Sequence, residues 1–187
     1  EMNMAQHIQV FPYRSEWEEQ YKKEASFISD ILGPELIEIH HIGSTAVRGL
    51  PAKPVIDIMP IVKGLSRIDK FYPQFEAIGY ECLGEFGMSC RRYFRKGGDE
   101  RTHQIHIFEE SNIKDINRHL AVRDYLRTHT VVATEYGQLK TELAKKYPYD
   151  IDGYCNGKED FVKIWKRKLC SGGGAHRSDW KPRRIRI

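Results

Sequence analysis

The chain has 187 residues, 40% hydrophobic and 30% charged, with a formal net charge of +4 at pH 7. That length suits one domain with a real core, and this composition excludes disordered and fibrous classes. No apolar run is long enough to cross a bilayer, so no membrane partner is expected.

The N-terminus has no basic start followed by an apolar core, so a cytoplasmic protein without a secretory signal is expected. Glu1 ahead of Met2 reads as an expression remnant. Residues 15–32 read as a helix, with Trp17, Tyr21, Ala25, Ile28 and Leu32 along one face. Ser15 and Glu18 fit a capping box, and Gly33-Pro34 stops the helix. Residues 35–42 (ELIEIHHI) read as a strand. GSTAVRGL is either a tight loop or one short helix. Residues 53–62 (KPVIDIMPIV) form a second strand, apolar enough to be buried on both faces, with pairing that weakens at Pro60.

Residues 66–78 look helical, with a kink or break at Pro73. Three short strands follow, in YECLG, MSCRRYFRK and RTHQIHIFEE, the last two joined by a GGDE turn at 97–100. The rest is helical: 111–129, 131–147 and 156–169, the last with Asn156 as N-cap. On the middle one, Val132, Tyr136, Leu139, Leu143 and Tyr147 share a face. The class is α+β: a mixed sheet with flanking helices and a helical C-terminal third. One domain covers 1–170, and a basic tail covers 171–187, where Asp179 is the sole acid among lysines and arginines. The tail, after the SGGG linker, reads first as a solubilising or vector-derived segment; its alternative role is non-specific nucleic-acid binding. The four cysteines form no C-x-x-C pair and read as reduced thiols.

Chemistry concentrates in HHIGSTAVRGLPAKPVIDIMPIV, residues 40–62. Backbone N–H groups at a Gly43-Ser44 turn suit an anion, and Ser44 and Thr45 add hydroxyl donors. Arg48 and Lys53 add positive charge. A plain strand–turn–strand would use the same glycine. Asp57 raises the stakes, because a carboxylate in so apolar a run must be paired, hydrogen-bonded or metal-bound. Mg²⁺ takes one or two carboxylates together with substrate phosphates, and Asp57 paired with Arg48 or Lys53 is the simpler alternative.

The run H-I-G-S-T-A-V-x-G-L-x-A-K-P-V-I-D-I resembles the signature of the GrpB family (UPF0157). RHLAVRDYLRTH at 118–129, the segment from Tyr136 through ELAKKYP, and Gly157-Lys158 ahead of Phe161 resemble it too; the likeness covers roughly 8–168. The resemblance implies a polymerase-β-type nucleotidyltransferase-like fold. That superfamily carries a Gly-Ser turn, a short helix, and a strand bearing Asp-x-Asp or Asp-x-Glu. By position, Gly43 and Ser44 match the turn and Asp57 the first acid. The second acid falls on Met59, which puts two-metal chemistry in doubt. Arg48 stands where the resemblance implies proline.

A further acid comes from a later strand in that superfamily. Glu109, or His103 and His106 as transition-metal ligands beside Asp57, are the candidates here. Arg91, Arg92, Arg95 and Arg101 lie on neighbouring strands, and part of the set could line an anionic pocket, Arg92 among them. His119, Arg123 and Arg127 share a helix face, either solvated or turned to the cleft. Two functions are carried forward. One is a nucleotidyltransferase-like protein that binds a nucleotide or phosphorylated ligand with a divalent metal (Mg or Mn), transferring a nucleotidyl group to an acceptor. The other is a catalytically inactive nucleotide- or phosphate-binding module.

Overall fold

The computed structural model describes residues 7–170, with side chains through Lys163. Helix α1 (Glu16–Leu32) leads by a short 3-10 turn into strand β1 (Leu36–Ile42). A second 3-10 turn, Ser44–Ala46, precedes β2 (Ile56–Val62). Two more such turns and the short α2 (Tyr72–Ala77) lead to β3 (Tyr80–Cys82), β4 (Arg92–Lys96) and β5 (His103–Glu109). Helices α3 (Ile113–Thr128), α4 (Thr130–Lys146) and α5 (Ile151–Cys170) complete it. The sheet order is β1-β2-β5-β4-β3, with β2 and β5 parallel and the other pairs antiparallel.

Alternation along the strands sorts side chains onto two faces. Ile56, Ile58, Phe94, Ile105 and Ile107 meet Trp17, Ile28 and Leu32 of α1 and Phe75 of α2 in the main core. On the other face Met59, Ile61 and Phe108 meet Ile116 and Leu120 of α3. Asp57 shares this second face but lies just short of the patch that α3 covers. Its side chain therefore keeps 26% exposure, and the apolar run accommodates an acid.

Several local expectations are corrected. Ser15 and Glu18 form no capping box: Ser15 is itself helical, its hydroxyl donates to the Glu16 carboxylate, and Glu18 pairs with Lys22 at 2.9 Å. The helix over 66–78 survives only as α2, with Pro73 in the first turn, where a missing N–H costs nothing. Asn156 is not an N-cap, because α5 starts at Ile151; Asp150 accepts from the Gly153 N–H instead. Pro60 is buried in β2 opposite Ile39, and the ladder to β5 skips Met59 and Pro60. Cys82, Cys90 and Cys155 are free thiols. No helix among the described residues is long and apolar enough to cross a membrane. The basic tail, with the nucleic-acid role attached to it, lies outside the described residues.

Candidate functional site

The site begins at the end of β1. Gly43 turns the chain with φ +72°, and a Cβ there would stand 2.6 Å from Asp57 Oδ2. Both the conformation and the close approach of backbone to carboxylate demand glycine. The turn's own bonds run from the Ala46 N–H to Gly43 O and from the Val47 N–H to Ser44 O. The Ser44 hydroxyl makes no hydrogen bond among the described residues, so it remains a donor.

Thr45 does not. It is buried, and its hydroxyl donates to Val55 O at 3.2 Å. That hydroxyl has one proton, so His41 Nε2, 2.9 Å away, is the donor in their contact. Burial pushes His41 down to about 4, which keeps it neutral, while nearby Asp57 acts the other way. Arginines of α3 hold the segment from behind. Arg123, buried, donates to His41 O at 3.0 Å, and Arg127 donates twice to Ala46 O at 2.9 and 2.7 Å. These two clamp the turn rather than line a solvated face.

Across the sheet, Asp57 sits opposite Gln104 on β5. With its amide turned to satisfy both ends, Gln104 donates to Asp57 Oδ1 at 3.1 Å and accepts from Arg101 Nη1 at 3.3 Å. His106 Nε2 lies 3.4 Å from the same carboxylate oxygen. Its ring stands 5.3 Å from Tyr93 and 5.6 Å from His119 of α3. His106 Nδ1 and His119 Nε2 are both buried without a partner. Burial, then the neighbouring His106, pushes His119 down to about 4.

Cations gather on the same side. Burial lowers the Lys53 ammonium first, then the charges of Lys158 and Arg101; Asp57 and Cys155 oppose them. Arg101 Nε is buried and unpartnered. The site thus holds one carboxylate, tied through Gln104 to Arg101 and close enough to Lys53 to act on its charge, with Gly43 and Ser44 at its rim.

The remaining candidates lie elsewhere. Arg92 belongs to the α2 face and forks onto Asp69 at 2.6 and 3.1 Å. Arg95 is held by Glu81, and Arg91 donates to the Glu85 and Phe86 carbonyls. His103 lies opposite Lys96, on the main-core face, where Lys96 pairs with Glu24; it does not join Asp57. Glu109, at the far end of β5, accepts from the Leu65 N–H at 3.0 Å. Met59 is fully buried against Phe108 and Ile116. Among the described residues no three His, Cys, Asp or Glu side chains converge as a metal site. The donor set does not fit a resident pair of metal ions.

The five-stranded mixed sheet with its flanking helices forms a nucleotidyltransferase-like fold. Solved structures of that kind are similar to it: the Cid1 poly(U) polymerase with MgGTP bound has a TM-score of 0.50 at 16% identity, covering 72% of this chain and 45% of that one. The chain itself belongs to the GrpB family, whose model, described as GrpB protein, matches residues 7–168. UPF0157 protein YqkA of Bacillus subtilis is 42% identical over 175 residues, 90% of this chain and 51% of that protein. The chain thus spans about half the length of that relative. The crystal structure of GrpB from Enterococcus faecalis matches with a TM-score of 0.77 at 42% identity, over 84% of this chain and 99% of that one.

Proposed function

We propose that the Asp57 site is a binding site for a phosphate-bearing small molecule, a nucleotide first among them, and that it transfers no nucleotidyl group. The observation that carries this reading is a single carboxylate with Arg101 and Lys53 as its neighbouring cations. Two-ion phosphoryl chemistry needs carboxylates for both ions. Met59 is committed to the core and Gln104 is an amide, so neither supplies the second. Lys53 and Arg101, the latter reaching Asp57 through Gln104, instead favour an anion. One Mg²⁺ or Mn²⁺ arriving on the ligand's phosphates is all that Asp57 could share in holding. The likeness to Cid1 supports the fold, and nucleotide binding comes to this chain only as part of the proposal.

Thermal shifts with ATP, GTP, CTP and UTP, each with and without Mg²⁺, test it. A ligand at about a hundredfold its Kd stabilises the folded chain by roughly 2.7 kcal/mol. Asp57→Asn is expected to weaken a Mg²⁺–nucleotide complex yet leave the metal-free nucleotide bound equally or better, since it removes a negative charge. Failure of all four nucleotides to shift the melting point would overturn the reading. Release of pyrophosphate during incubation would overturn its second half.

A further inference from the structure

The Gly-Ser turn has a second side. Ile42 pairs with Asp57, but His41 pairs with Ile58, whose side chain lies in the α1 core. His41 and Thr45 therefore point away from Asp57, into a cleft of about 310 Å³ between α1, the turn and the end of α3. That volume is at the small end of small-molecule pockets and well above the size of a bare ion. Tyr13 and Tyr21 give it flat walls, Tyr21 stacking on His41 at 4.6 Å and 8°.

Its charge is positive. Lys22 and Glu18 both line the cleft and neutralise one another at 2.9 Å. Arg127 reaches in while donating to Ala46 O. Arg48 is different: it is exposed, lines the cleft, and makes no hydrogen bond or ion pair among the described residues. Its charge is felt by Glu18, the acid of the cleft, whose closer partner is Lys22. An arginine with an open fork, a second arginine behind it and aromatic walls make up the chemistry that recognises a phosphate attached to a small organic body.

We propose that this cleft is a second ligand site, independent of Asp57, that binds the phosphate group of a small molecule through Arg48. His41, kept neutral by burial and donating from Nε2 to Thr45, offers Nδ1 as an acceptor for the rest of the ligand. Because Thr45 and Ala46 form the cleft wall, an occupant would brace the turn whose other side faces Asp57.

Calorimetric titration of the full chain with ribose 5-phosphate, inorganic phosphate and citrate tests this. Ribose 5-phosphate is expected to bind with a component that is at least about tenfold weaker in Arg48→Gln and intermediate in Arg48→Lys. Inorganic phosphate should bind more weakly than the sugar phosphate. The assignment fails if no sugar phosphate binds at millimolar concentration, if Arg48→Gln binds like the parent, or if citrate is preferred. Loss in Lys53→Ala with none in Arg48→Gln would also sink it, by moving the phosphate to the Asp57 site. Unchanged melting points of the variants, expected for an exposed arginine, exclude misfolding as the cause.

Discussion

Gly43 and Asp57 define each other: the glycine admits the carboxylate, and the carboxylate leaves no room for a Cβ. Gly43→Ala is expected to cost about 2 kcal/mol, part from a positive φ and part from the clash with Oδ2. In a double-mutant cycle measured by urea unfolding, Asp57→Ala should recover the clash share but not the backbone share. The buried histidines give a second residue-scale outcome. His41 and His119 both have folded-state pKa values near 4, below the unfolded value of 6.5. Above pH 6.5 both states are neutral and nothing is lost. Between 6.5 and 4 the unfolded chain takes protons that the folded chain refuses, so stability falls by about 1.4 kcal/mol per pH unit for each histidine. His119→Leu should remove about one histidine's share of that slope; an unchanged slope would place the acid sensitivity elsewhere. Asp57 was legible because a lone acid in an apolar strand has few roles. Gln104 as its partner, the choice of Arg101 from the four candidate arginines, and the loss of Arg92 and His103 from the site were not. Which residue on β5 faces Asp57 depends on a parallel register, and a one-residue slip moves every side chain to the other face.

At the scale of elements, the helical third is a clamp on the turn as much as a cover for the sheet. Gly137 of α4 packs against Pro51, where a Cβ would meet Cδ at 2.8 Å, and Lys140 one turn on donates to Pro51 O. Apolar spacing pointed to Tyr136, Leu139 and Leu143 and passed over Lys140, because periodicity has no means of seeing a charge buried on an apolar face. Burial, then Lys158, lowers Lys140 to about 7 from an ordinary 10.5. The unfolded chain therefore holds a proton between pH 7 and 10.5 that the folded chain has released, and stability contributed at this position rises with pH. Wild type should gain about 1.4 kcal/mol per pH unit relative to Lys140→Met between pH 7.5 and 9.5, read from denaturant midpoints. A constant difference would mean that Lys140 stays charged. Helix existence was readable from spacing throughout, and the ends were not: Asp150 takes the N-cap that Asn156 suggested, because tertiary packing extends α5 backwards by a turn and more.

For the whole molecule, the α+β class, the mixed sheet and the family were legible in one long motif and in alternating strands. The sheet order was not, since it is decided by which faces α1 and α3 cover. That order places β2 beside β5 and leaves Asp57 at the uncovered edge of one face, with cations from the segments that lead into β2 and β5 near it. The same layering gives the Gly-Ser turn two exposed sides, one toward Asp57 and one toward Arg48. The central claim is that the cations around a single carboxylate hold phosphate. Its most direct measurement is the affinity of the best-binding of the four nucleoside triphosphates for wild type and Lys53→Ala, by calorimetry with and without Mg²⁺. A loss of at least about tenfold in Lys53→Ala, worth roughly 1.4 kcal/mol, in both conditions is the expected result. Equal affinity for the two proteins would contradict a phosphate site at Asp57.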